Sequence, residues 1–152
     1  MKVVDPRKIY WTVVSQHLPL PDGYGEIVDQ WRQLAGRVNS ALTNAGIPSR
    51  ILAPQDPPWG IPGVLIMINT DNPFGVTIGW AVGIDFDSAY IPEDATEERR
   101  MVALRYRVDI KTVMKQAVFD ILLTAGFAIT KDHDEGDSYH YRVLAAPGDY
   151  PS

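Results

Sequence analysis

Asp85 and Asp87, in Gly83-Ile84-Asp85-Phe86-Asp87, alternate so that both would share one face of a strand. Two carboxylates so placed could hold a divalent ion or divide general acid and base work. A strand end meeting solvent accounts for the same pair without any chemistry. His133 and His140 stand among Asp132, Asp134, Glu135 and Asp137. Imidazole and carboxylate ligands suit zinc or a similar ion. The two histidines straddle a turn, however, and the sequence has no HExxH pattern, no EF-hand loop and no second pair of ligands nearby. An exposed polar hairpin is the simpler reading, and no metal site is expected.

The third cluster is basic. Arg99, Arg100, Arg105, Arg107, Lys111 and Lys115 are opposed between them only by Asp109. Such a run can meet phosphates or a carboxylate-bearing protein surface, and it can also be a solvated helix face. Trp59, Trp80 and Tyr90 sit in or beside expected loops, where aromatic rings with a polar handle serve interfaces or pack the loop onto the core. Nucleophile and nucleotide motifs are missing. There is no GxSxG, no GxGxxG and no Walker A loop, and the few serines have no base close in sequence. No catalytic residue and no cofactor is therefore assigned.

Composition narrows the class. The 152 residues are 45% hydrophobic and 22% charged, as expected for one folded domain. The net charge of −5 argues against whole-chain attraction to nucleic acid or anionic membrane. No apolar run approaches a membrane span, and the first residues lack an apolar h-region, so neither membrane insertion nor secretion by a signal peptide is expected. The chain has no cysteine. Disulfides and thiolate sites are excluded, and a reducing, cytoplasmic setting fits.

The elements that must position these residues follow from periodicity. Lys8 to Gln16 is rich in β-branched and aromatic residues and reads as a strand, with a helical start as the competing reading. Glu26 to Ala45 is a helix with Ile27, Trp31, Leu34, Val38, Ala41, Leu42 and Ala45 on one stripe. Arg50 to Ala53 forms a short strand before the proline-rich loop from Pro54 to Gly60. Val64 to Asn69 and Val76 to Ile84 are strands joined by turn residues. Gly75, Gly79 and Gly83 recur at every fourth position of the second, marking a bent edge strand or close approach of another backbone. Asp94 with Glu97 resembles a capping pair. Beyond it, Ile110, Val113, Met114, Ala117, Val118, Ile121, Leu122 and Ala125 share a helical stripe, whereas Met101, Leu104 and Val108 are out of phase with it. The readings are one helix, two helices broken near Arg107 to Asp109, or a strand over Val102 to Val108 before a helix; helical structure, with or without a break, is favoured. Phe127 to Thr130 and Tyr139 to Leu144 then make a closing hairpin. The pattern Leu-Thr-(Asn)-Ala-Gly ends both helices, at Gly46 and at Gly126.

These elements predict a single α+β domain over residues 1–146, ordered roughly β-α-β-β-β-α-β-β, with residues 147–152 as a flexible tail. Two main helices pack on a mostly antiparallel sheet of four to six strands. That order is similar to those of small secretion chaperones and of small phage tail-assembly subunits, at the level of elements alone. Residues 99–144, taken as helix, break, helix and hairpin, resemble a winged helix-turn-helix, which implies phosphate contacts by the six cations. The acidic hairpin tip, which would be the wing, opposes that use. The expected function is a non-catalytic protein-binding or assembly module, acting on a protein partner or on copies of itself through Trp59, Trp80, Tyr90 and the basic segment. DNA binding is the alternative.

Overall fold

Each of the two long helices is closed by the same backbone device. At the first, the Gly46 amide donates to Thr43 O at 3.0 Å and the Ile47 amide to Leu42 O at 2.9 Å; at the second, Gly126 donates to Leu123 O at 3.0 Å and Phe127 to Leu122 O at 3.0 Å. Both glycines have positive φ, 79° and 94°. This is the Schellman arrangement, which satisfies the last carbonyls and turns the chain toward a strand. The shared Leu-Thr-…-Gly pattern is thus a pair of matched helix stops, with Leu42 and Leu122 both fully buried behind them.

The structure, a computed structural model, describes residues 1–58, 60–83, 92–133 and 139–152. In chain order these form β1 (Lys2–Val3), α1 (Pro6–Tyr10, continued by a π-helical turn over Trp11–Ser15), α2 (Tyr24–Asn44), β2 (Ser49–Ile51), β3 (Gly63–Asn69), β4 (Gly75–Ala81), α3 (Glu97–Thr124), β5 (Ala128–His133), β6 (Tyr139–Ala145) and β7 (Tyr150–Pro151). The main sheet has the order β2-β3-β4-β6-β5. Its β2–β3 pair is parallel and its other three pairs are antiparallel, so the sheet is mixed. The fold is a single α+β domain.

Alternation sorts the sheet into two faces. Val64, Ile66 and Ile68 of β3 lie opposite Trp80, Ile78 and Val76 of β4; Ile78 and Val76 in turn lie opposite Tyr141 and Val143 of β6. That face takes α2 through Val28, Trp31, Leu34, Val38 and Leu42, and the end of α3 through Val118 and Leu122, in one continuous core. The opposite face carries buried Leu65, Thr77, Ala81, Arg142 and Leu144. Arg142 is the ionised member of that set. Its Nε donates to Phe74 O at 3.1 Å, and its two terminal nitrogens donate to Pro73 O and to Asp132. Burial pushes the guanidinium's pKa down and the Asp132 charge partly restores it.

Several expectations change. The strand over Lys8 to Gln16 is helical instead, because Asp5 caps it, accepting from the Arg7 amide at 2.9 Å, and Pro6 occupies the first helical position. β4 is the third strand of five and not a bent edge; a Cβ on Gly75 would lie 2.7 Å from Pro6 Cγ, so the glycine admits a close approach. Thr96, and not Asp94, caps α3, accepting from the Arg99 amide at 3.2 Å. Of the readings left open for the next segment, one helix is the structure: α3 runs unbroken from Glu97 to Thr124, with neither the break near Arg107 to Asp109 nor the strand over Val102 to Val108. Residues 147–152, expected as a tail, carry β7, which pairs in parallel with β1; the Ser152 amide donates to Val3 O at 2.8 Å and the Asp5 amide to Ser152 O at 3.1 Å.

Two stability tests follow from this packing. Leu122→Ala removes a fully buried side chain and should cost about 2–5 kcal/mol in urea unfolding, whereas Leu123→Ala, at a position 53% exposed, should stay within about 0.5 kcal/mol. Burial raises the Asp5 carboxyl, but hydrogen bonds from Arg7 and the charges of Arg7 and Lys8 more than offset this and leave its pKa below the ordinary value. The stabilisation is complete above the unfolded pKa of about 3.9 and is lost as pH falls through the lower folded value. Asp5→Asn should therefore lower the urea midpoint at neutral pH and flatten its fall in acid; an unchanged acid limb would show that Asp5 contributes nothing there.

Candidate functional site

A helix of 28 residues is about 42 Å long, and the side chains that α3 buries fully lie near its C-terminal end. Its fully buried residues are Val118 and Leu122. Around them Phe119 meets the Tyr141 ring edge-on at 5.9 Å between centroids. Of residues 97–109, all but Ala103 and Arg107 are exposed. Met101, Val102, Leu104, Tyr106, Val108 and, further along, Val113 each expose between 50% and 66% of their surface.

These six residues form two stripes. Met101, Leu104 and Val108 lie on the line that continues by steps of three and four through Lys111 and Lys115 to the buried Val118 and Leu122. Val102, Tyr106 and Val113 lie about 150° round the helix. Arg105 and Asp109 sit on the surface between the stripes, and both are exposed. A helix with apolar residues on two sides is ordinarily buried on two sides. An exposed apolar area of this extent on a folded chain marks a contact surface.

The root of this arm forms a groove of about 570 Å³ lined by Thr112, Val113, Gln116, Lys131 and Tyr141. Lys131 places its ammonium on Gln116 Oε1, 5.2 Å from the Phe119 ring centre and 5.5 Å from that of Tyr141. Lys115 stands 4.7 Å from the Tyr141 ring centre. Such cation–ring contacts hold the lysine stems against the aromatic pair. Desolvation, and then the charge of Lys111, hold the Lys115 ammonium below its ordinary pKa.

The residues singled out in the sequence fall as follows. Arg99, Arg100 and Arg105 are exposed on the arm, and Arg107, Lys111 and Lys115 are half-buried along it, so one helix carries all six cations. Arg100 donates to Glu93 O at 2.7 Å and to Ala95 O at 3.3 Å, closing the turn ahead of the helix. Trp80 is half-buried on the inner face of β4 and packs on the core, so it is not part of an exposed loop. Trp59, Tyr90, Asp85, Asp87, Asp134, Glu135 and Asp137 lie outside the described residues. The backbones of His133 and His140 pair within β5 and β6. Among the described residues no three His, Asp or Glu side chains group to hold a metal ion, and no helix is long and apolar enough to cross a membrane. The apolar members of the arm escaped the sequence reading as site residues, although the position of Met101, Leu104 and Val108 outside the stripe of Ile110, Val113, Met114 and Ala117 was the available signal. No protein-family model, curated protein or solved structure matches the chain.

The crowding of Lys111 on Lys115 gives a direct test. Lys111→Gln should move the Lys115 pKa upward, read from the 13Cε titration of Lys115 by NMR. An unmoved midpoint would mean that Lys111 exerts no influence on the root of the arm.

Proposed function

We propose that the protein is a non-catalytic assembly subunit that binds protein through the exposed N-terminal half of α3. The observation that carries this reading is the burial pattern of residues 97–113, whose two apolar stripes face water on a folded chain. Short helices are marginal in water without packing, so an ordered apolar arm is stabilised by what covers it. Cations on the same arm supply orientation and encounter rate, and the apolar stripes supply the contact. The lack of cysteine fits a reducing cytoplasm.

DNA binding rests on the same six cations but is the weaker reading. Its recognition helix needs a turn ahead of it, and α3 runs without a break through Val108 and Asp109. A duplex would also leave both apolar stripes in water.

Photo-cross-linking tests the proposal in the producing cell. A photoreactive residue at Met101 on one stripe, or at Val113 on the other, should yield discrete protein adducts, whereas the same residue at Asp29, exposed on α2, should not. Adducts absent from both arm positions would defeat the assembly reading.

A further inference from the structure

We infer that the outer edge of β5 receives an extended segment of the protein partner, which adds a strand to the main sheet beside α3 and carries an acidic side chain between two apolar ones. This rests on the assembly reading above and gives the chemistry of the partner at the groove of Thr112, Val113, Gln116, Lys131 and Tyr141. An open hydrogen-bond ladder carries it. Main-chain bonds alternate from side to side along a strand. The Val64 amide donates to Pro48 O, and Ile66 O accepts from the Leu52 amide, so the even-numbered residues of β3 face β2. Carried through the pairing registers, this turns the main chain of Val76 and Ile78 of β4 toward β6, and that of Thr130 and Asp132 of β5 toward Arg142 and His140 of β6. Ile129, Lys131 and His133 therefore direct their amides and carbonyls away from the sheet. β5 ends the strand order, and among the described residues no main chain pairs with that edge. With six residues against the three of β2, it is the longer of the two edges.

The side chains around the edge define what the added strand must carry. Lys131 shares the sheet face of Tyr141 and is exposed. Its ammonium donates to Gln116 Oε1, and among the described residues no carboxylate pairs with it. A lysine on an edge strand discourages indiscriminate pairing and admits a strand that brings an acid. α3 and β5 run antiparallel, because the turn at Gly126 returns the chain beside the helix and sets Lys131 against Gln116. Val113, Gln116, Asp120 and Leu123 follow one line of α3 by steps of three and four. Asp120 on that line accepts from Gln116 at 3.0 Å. The two ends of the line are apolar and more than half exposed, Leu123 toward the start of β5 and Val113 toward its end. Alternate side chains of an added strand would thus lie beside Leu123, Lys131 and Val113 in turn. In strand addition the main-chain bonds give affinity and the alternate side chains select the partner. A second β5 centred on the same row would set Lys131 against Lys131, which disfavours a copy of this chain as the added strand.

The probe is a capped seven-residue threonine peptide with valine, glutamate and valine at its second, fourth and sixth positions, titrated into the 152-residue chain and followed by 15N–1H NMR. On saturation, amide hydrogen exchange at Lys131 and His133 should slow, while Thr130 and Asp132, already turned to β6, should not change. Lys131→Glu should weaken binding about tenfold, the loss expected for one charge-assisted contact, and a peptide with lysine in place of its glutamate should restore it. Leu123→Ala should also weaken binding, with unchanged far-ultraviolet dichroism. The same peptide N-methylated at every main-chain amide cannot donate to the edge and should not bind. Equal binding by the N-methylated peptide, unchanged exchange at Lys131 on saturation, or no binding at about 1 mM peptide would each overturn the added strand. Photoadducts at Met101 without peptide binding would remove the strand site and leave the assembly reading standing. Peptide binding with the slowed exchange, but with adducts at neither Met101 nor Val113, would support the strand site and defeat the arm as the partner's surface.

Discussion

Ile66, Ile78, Tyr141 and Lys131 stand side by side on β3, β4, β6 and β5, in one row across the sheet. The row starts in the fully buried core at Ile66 and ends in water at Lys131. Tyr141 is where the two meet. Its ring gives Phe119 of α3 a platform, and it carries Lys115 and Lys131 on its wet side. A slip of one residue between β4 and β6 would turn Tyr141 to the opposite face and remove the seat of α3. Arg142, the next residue, guards against that slip from the other side of the sheet by gripping the Pro73 and Phe74 carbonyls and Asp132. Both the seat of Phe119 and the groove lined by Val113, Gln116, Lys131 and Tyr141 depend on this register.

Much of the scaffold was legible because its residues obey one period at a time. In α2, Trp31, Leu34, Val38 and Leu42 repeat at helical spacing, and all four are buried. β3 and β4 could be read from their apolar runs and from the turn residues between them. The partnering of the sheet was not legible. The spacing of Gly75, Gly79 and Gly83 suggested an edge, yet β4 lies between β3 and β6 and its Gly75 admits Pro6. Local capping by Asp5 and Pro6 outweighed the β-branched content of the residues that follow.

The ambiguity over Met101 to Ala125 has a physical source. Sequence reading finds a helix by the one face it buries, and no side chain of residues 97–109 is fully buried. Met101, Leu104 and Val108 extend the stripe of Val118 and Leu122, while Val102, Tyr106 and Val113 form a second stripe, so the pattern reads as a change of phase or as alternation. One helix with two apolar sides produces the same pattern without any break. Of the candidate site, the cations were therefore legible as a cluster, but their apolar neighbours on the same arm were not. Charges stand out by type alone, whereas an apolar side chain is conspicuous only once its exposure is known.

The composition of the arm suits some surfaces better than others. A phosphate backbone rewards cations and is indifferent to Val102 or Val113. It would be repelled by Glu98, Asp109 and Asp120, which flank the second stripe and are exposed. A protein surface gains from both sets at once. Burial of a Val, Leu or Met side chain is worth about 1.5–3 kcal/mol, and exposed charges at the rim add direction more than strength.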